Sequence, residues 1–332
     1  MKTKSFCYFI LTAIAIITWS CDSDDNSDDS NPEEIVEIEF TEHTQQDQMG
    51  DFAENAMVEF MGQVWSVGGY NIYNGTNRSS DVWSSSNGIN WQSVTSNQFE
   101  GRTGHTLTVF DGQMWLIGGV DNSNIFLSDV WNTSNGETWN LVTDTPAYLS
   151  TAYHEVVVFN NKLFLIKDSP GGYMSVWSSS DGLNWLEESN NAFTPREKFE
   201  AVVFNNAIYV LGGKNMSTNY NEIWQSTDGI NWSELSTNNV FSPRFAHTAT
   251  VYNNKVWVAG GFGAAGPEGN LWYSVDLVNW IEYTPTTSST GLYDHAALNY
   301  SGEIYLYGGY EGSTGGPFPM VGKIRSLKEL TP

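Results

Sequence analysis

Apolar and polar positions alternate in short runs along most of this chain, and the runs recur. One stretch shows the unit: His105-Thr-Leu-Thr-Val-Phe110, Gln113-Met-Trp-Leu-Ile117, Asp129-Val-Trp-Asn-Thr-Ser134 and Thr138-Trp-Asn-Leu-Val142. Val, Ile, Thr and aromatic residues dominate each run, which suits strands. Between the first two runs every unit carries a pair that tolerates positive φ: Met61-Gly62, Asp111-Gly112, Asn160-Asn161, Asn205-Asn206, Asn253-Asn254 and Ser301-Gly302. Such pairs predict two-residue type I′ hairpins. Asn87-Gly88, Asn135-Gly136, Asp181-Gly182 and Asp228-Gly229 join the third and fourth runs, with Asp276-Leu277 as the exception.

The repeat is long. Diglycine falls at Gly68-Gly69, Gly118-Gly119, Gly212-Gly213, Gly260-Gly261 and Gly308-Gly309. Tryptophans at Trp83, Trp131, Trp177, Trp224 and Trp272 are spaced by 48, 46, 47 and 48 residues. A second tryptophan follows each by eight residues, at Trp91, Trp139, Trp185, Trp232 and Trp280. A period of this size belongs to propeller blades of four strands. A two-residue turn after Ser86 would set Ser84 against Trp91 and Trp83 against Gln92. The two tryptophan rows would then point to opposite faces of each sheet, and only blades packed face to face would bury both.

Six units can be counted, and the sixth stops after its third strand. The run Glu34-Ile-Val-Glu-Ile-Glu-Phe-Thr41 precedes the first unit where a fourth strand would stand. The prediction is an all-β, six-bladed propeller over residues 34–332 whose last blade is closed by this N-terminal strand. Closure removes open sheet edges.

Composition narrows the function. The 332 residues carry 14 basic against 38 acidic side chains, a net charge of −24. That leaves no basic footprint for nucleic acid. The two cysteines, Cys7 and Cys21, both lie at the N-terminus, so the repeats hold no disulfide and no thiolate metal site. Lys2, Lys4 and the apolar run Phe6–Ile17 read as a cleaved signal, too short to span a membrane. Cys21, directly after Thr18-Trp19-Ser20, resembles the lipobox cysteine of bacterial lipoproteins. The resemblance implies a signal peptide over 1–20, acylation of Cys21 and membrane attachment through it. Residues 21–33 then form an acidic tether, which is similar to the surface-export signal of Bacteroidetes lipoproteins and implies an outer-membrane, cell-surface location.

The diglycine after strand two, the paired aromatics and Pro243-Arg244-Phe245-Ala246-His247 resemble kelch repeats, over about residues 35–330. The family includes copper oxidases of sugars, sialic acid mutarotases and protein-binding adaptors. The oxidases need a Tyr–Cys cofactor, which a chain without cysteine after Cys21 lacks.

In a four-stranded meander the 2–3 and 4–1 loops share one end. Here they are the long, varied loops, so function belongs on that face. Its 2–3 loops carry Tyr70, Tyr73, Phe126, Tyr173, Tyr220, Phe262, Tyr310 and Phe318, candidates for stacking on a sugar or a protein hot spot. Arg102, Arg196 and Arg244 share one repeat position before the channel-lining first strand. Converging on the axis they would hold a carboxylate; alternatively they satisfy loop carbonyls. His105, His154, His247 and His295 share another position, as scaffold residues do. Glu155 and Glu200 follow it in adjacent units and could pair as acid and base. Lys167-Asp168 replaces diglycine in unit 3, marking a site or an exposed ion pair. No catalytic constellation, cofactor or metal site is expected. The expectation is a surface-anchored, non-catalytic module that binds a glycan or protein. The alternative is a carbohydrate-active enzyme, such as a sialic acid mutarotase, working in the central channel.

Overall fold

Every hairpin turn predicted between first and second strands has both central residues at positive φ, from Met61 (53°) and Gly62 (74°) to Ser301 (52°) and Gly302 (79°). These turns set the register of six antiparallel meanders in a computed structural model that describes residues 37–43, 49–71, 77–283, 291–312 and 319–330. The signal segment, Cys21, the tether, Tyr73 and Phe318 lie outside the described residues. The described elements are all strands.

From the axis outward, blade 1 comprises Ala56–Phe60, Gln63–Val67, Val82–Ser85 and Gln92–Thr95. Blade 2 comprises Thr106–Phe110, Gln113–Asp121, Phe126–Thr133 and Asn140–Thr143. Blade 3 comprises Glu155–Phe159, Lys162–Ser169, Tyr173–Ser179 and Leu186–Ser189. Blade 4 comprises Glu200–Phe204, Ala207–Leu211, Ile223–Ser226 and Ser233–Glu234. Blade 5 comprises Thr248–Tyr252, Lys255–Ala259, Leu271–Ser274 and Ile281–Tyr283. Blade 6 comprises Ala296–Tyr300, Glu303–Tyr307, Ile324–Leu330 and, from the N-terminus, Glu37–His43. Glu37 pairs with Leu330 and His43 with Ile324, so the ring closes as the sequence predicts. Each innermost strand touches the next, and Ala296–Tyr300 touches Ala56–Phe60. The fold is a six-bladed β-propeller.

The 3–4 hairpins differ from the sequence expectation. Trp83 pairs with Ser93 and Ser84 with Gln92, with a bulge between Val82 and Trp83. The loop is longer than two residues because Asn or Asp caps it. Asp181 Oδ1, for example, accepts the N–H groups of Leu183 (2.9 Å) and Asn184 (2.8 Å). The added length moves the second tryptophan onto the same inter-blade face as the first. One ring from the preceding 4–1 loop touches both: Phe99 lies 6.2 Å from Trp131 and 5.4 Å from Trp139. Tyr148 does the same for Trp177 and Trp185, and Phe193 for Trp224 and Trp232. The turn glycine serves the neighbouring blade. A Cβ on Gly136 would stand 2.1 Å from the Trp65 ring, so glycine there lets the indole lie flat against the loop.

Blade 1 therefore meets blade 2 through Phe60, Trp65, Val82, Phe99, Leu107, Met114 and Trp139, all buried. Burial of each such side chain contributes roughly 1.5–3 kcal/mol. Comparable clusters join blades 2 and 3, 3 and 4, 4 and 5, and 6 and 1.

Candidate functional site

Three successive residues enter each innermost strand, and together they build the axis. The first position holds Glu54, Gly104, Tyr153, Lys198, Ala246 and Asp294, all at positive φ between 51° and 61°. This region is unfavourable for side chains other than glycine, so the conformation must be held by its surroundings. Backbone hydrogen bonds hold it. The N–H of Glu54 donates to the carbonyl of Asp294, Asp294 to Ala246, Ala246 to Lys198, Lys198 to Tyr153 and Tyr153 to Gly104, over 2.7–3.3 Å. A belt of peptide links thus crosses from blade to blade around the mouth.

The second position holds Asn55, His105, His154, Phe199, His247 and His295. The histidines are at most 7% exposed and wedge between blades. A Cβ on Gly118 would lie 3.0 Å from His154 Cε1, and one on Gly119 would lie 2.9 Å from His105 Cβ. Diglycine is thus the slot between the histidines of successive blades. Burial pushes all four imidazoles down to about 3, so they are neutral. Blade 3 lacks the slot, and its second strand runs on through Lys167 and Asp168, which pair with Ser175 and Met174. Lys167 is buried and Asp168 exposed, which corrects the expectation of an exposed ion pair.

The third position contributes Glu155 and Glu200 from adjacent blades. Both line one axial cavity of about 120 Å³, together with Glu54, Lys198 and Asp294 at its mouth. Burial raises both carboxyls, Glu200 to about 8, and Glu200 repels the charge on Glu155. The structure brings these two carboxyls, from adjacent blades, to the wall of one cavity.

The three arginines do not converge on the axis as ligand anchors would; they take the alternative of satisfying loop carbonyls. Arg102, Arg196 and Arg244 are at most 1% exposed, and none lines the axial cavity. Arg102 donates to the carbonyls of Glu100 (3.0 Å) and Gly118 (2.8 Å) and forks onto Asp129 at 2.6 and 2.8 Å. Arg196 uses Thr194, Gly212 and Glu222, and Arg244 uses Ser242, Gly260 and Asn270. Each also lies over its own loop aromatic, Phe99, Phe193 or Phe241, at 5.4–5.6 Å. Five donors on a rigid fork fasten the 4–1 loop to the diglycine turn. Their correction is from ligand anchors to loop clasps.

The aromatic lip is likewise redistributed. Tyr220 covers Arg196 at 4.4 Å, and Tyr70 lies beneath Arg78 at 5.6 Å. Tyr173 opens the third strand of blade 3 opposite Ser169. Phe262 and Tyr310 enter an arc that the sequence reading missed in part: Phe245–Phe262 (5.5 Å), Phe262–Tyr293 (5.1 Å) and Tyr293–Tyr310 (5.3 Å). These four rings are half-buried.

Sequence reasoning also missed the charges at the mouth. Lys198 Nζ lies 3.0 Å from Glu54 Oε1 and 2.7 Å from Asp294 Oδ1. Its ammonium also stands 4.9 Å from the centre of the Tyr153 ring. Lys198 comes from blade 4 and Glu54 from blade 1, which face each other in a ring of six, so the pair straps the mouth. Burial raises Asp294 to about 6, with Lys198 opposing and Glu54 reinforcing the shift. The available signal was a column of six different residues, Glu, Gly, Tyr, Lys, Ala and Asp, directly before the periodic histidine.

Residues 198–318 match the family model described as the KLHDC2/KLHL20/DRC7 Kelch-repeats domain, and residues 101–132 match the Kelch motif. These are kelch repeats. They cover the Arg, His and diglycine positions of blades 2 and 5, the diglycine of blade 4, and the His and diglycine of blade 6, elements that clasp one blade to the next. No curated protein matches the chain.

Proposed function

We propose that this kelch propeller is a non-catalytic binding module whose ligand docks on the face formed by the 2–3 and 4–1 loops. The observation that carries this is the arc Phe245–Phe262–Tyr293–Tyr310, half-buried rings beside the charged mouth. Such amphipathic rings offer contact area at small entropic cost, as protein hot spots and sugar-stacking platforms do. A protein partner is favoured by the kelch matches, because kelch propellers generally mediate protein binding. A glycan is the second ligand class. Acylated Cys21 and the acidic tether would display the face from the outer membrane.

The mutarotase alternative draws support from the Glu155–Glu200 pair. The cavity that this pair lines is about 120 Å³, and no arginine lines it. The arginines such an enzyme would use are enclosed in structural clasps. The binding reading is therefore preferred.

The test is Phe262→Ala and Tyr310→Ala, screened with the parent protein against glycan arrays and purified extracellular proteins. Loss of at least tenfold in affinity with an unchanged melting temperature is the expected result. A ligand held equally well by both variants would place binding elsewhere. Cys21→Ser should abolish metabolic incorporation of an alkyne fatty acid.

A further inference from the structure

Beneath the strap, the axial cavity is lined by acceptors with nothing to accept from. Asn55, 8% exposed, gives its Nδ2–H to Ser66 Oγ at 2.8 Å and leaves Oδ1 buried without a partner. Glu54 Oε2 is buried in the same condition. His105 Nε2 lies 3.0 Å from the Val67 carbonyl, which fixes the proton there and makes Nδ1 a bare acceptor. His154 has a main-chain bond to Ile117 and likewise an unpartnered Nδ1. Both histidines are more than nine-tenths buried. Glu155 and Glu200 add two carboxyls, of which Glu200 Oε2 already accepts the Ala249 N–H at 3.3 Å. Lys198 is the one lysine or arginine lining the cavity among the described residues. No three metal-ligating side chains among the described residues are arranged to hold an ion, and the lining suits a ligand that donates hydrogen bonds.

We propose that the axial cavity is a binding site for a primary-ammonium head, which enters by displacing the ammonium of Lys198 from Glu54 and Asp294. Lys198 is then a resident stand-in. Its contacts describe the ligand: two carboxylates at 2.7 and 3.0 Å and the Tyr153 ring at 4.9 Å. One ammonium replaces another, so the charge enclosed does not change. The buried acceptors below give the incoming head hydrogen bonds beyond those that Lys198 makes. A chain of net charge −24 attracts such a partner over distance. The ammonium has two sources, a lysine side chain of a protein and a free amine. The inference rests on the 2–3/4–1 end being the binding face.

The experiment vacates the site and refills it. Lys198→Ala and Lys198→Met are titrated with n-butylammonium, n-butanol and butyrate, reading melting temperature and calorimetric heat. Butylammonium should raise the melting temperature of either variant saturably and bind at least tenfold more tightly than to the parent protein. Butanol and butyrate should do neither, and adding Asp294→Asn should remove the response. Equal responses to butanol, or none in a variant folded by circular dichroism, overturn the proposal. A variant that unfolds is tested for refolding by butylammonium, and failure to refold also counts against it. Acetyl-Gly-Lys-Gly-amide against its norleucine analogue separates the sources: selective binding of the lysine peptide assigns a protein side chain, and butylammonium alone assigns a free amine. A saturable butylammonium response in Lys198→Ala, alongside a ligand that Phe262→Ala and Tyr310→Ala hold as well as the parent does, would place the fault in the wider face and not in this site.

Discussion

A guanidinium that is fully buried needs partners for its donors, and Arg102 has four: two carbonyls and both oxygens of Asp129 accept from it. Removing one partner of such a pair leaves the other charge enclosed, which typically destabilises by about 3–5 kcal/mol. Arg102→Ala should therefore lower the unfolding free energy by about that amount in urea titration. Arg102→Lys should recover less than half, because an ammonium cannot fork onto a carboxylate while reaching two carbonyls. Full recovery with lysine would make the charge, not the fork, the essential property. The arginine period was legible in the sequence, but its burial was not. A residue repeated at the start of three innermost strands looks the same whether it faces the axis or turns back under its own loop. The distinction rests on Asp129, Glu222 and Asn270, which lie 26 or 27 residues away in each blade.

Hairpins explain which elements the sequence announced and which it did not. The 1–2 turns are local, since two adjacent residues at positive φ fix them, and all six read correctly. The 3–4 loops look equally local but are set by a capping side chain and by the neighbouring blade's aromatic against Gly136 or its equivalents. Their register therefore slipped from the expected one, and with it the face of Trp91 and Trp139. The closing strand was legible because an unfilled fourth position and an unassigned strand-like run were the only two left over. Glu37–His43 covers the whole of Ile324–Leu330 and adds Glu42 beside Arg325 and Lys323. Its deletion would bare a seven-residue edge and open the ring. The melting temperature should fall by at least ~10 °C, since about 1 kcal/mol shifts a domain of this class by roughly 2–4 °C. The truncated protein should also self-associate through the exposed edge, visible by light scattering. An unchanged transition would show that the ring does not depend on this strand.

At the scale of the whole molecule, the axis gathers two sets of groups that oppose each other in pH. His105, His154, His247 and His295 are held down to about 3 by burial, reinforced by nearby Arg102, Lys167, Arg244 and Arg325 respectively. The unfolded chain takes up protons below about 6.5 while the folded chain does not, so stability falls as pH drops from there toward 3. Glu155 and Glu200 are shifted the other way. The unfolded chain releases their protons above about 4.3 while the folded chain keeps them, so stability falls as pH rises toward 8. Asp294, raised to about 6, acts with them over the lower part of that range. Each fully engaged group contributes about 1.4 kcal/mol for every pH unit. Between about 4.3 and 6.5 four imidazoles outweigh three carboxyls, and stability still climbs. Above 6.5 the imidazoles no longer differ between states, and the glutamates carry it down. The urea midpoint should therefore peak near pH 6.5. Overall acidity also weakens the fold at high pH, so the discriminating protein is Glu200→Gln. It should flatten the alkaline limb and raise the midpoint at pH 8, while leaving the acid limb in place. A midpoint that kept climbing to pH 8, or a glutamine variant with the parent's alkaline slope, would mean that the paired carboxyls ionise freely in the folded protein and that the axial cavity is far wetter than its lining implies.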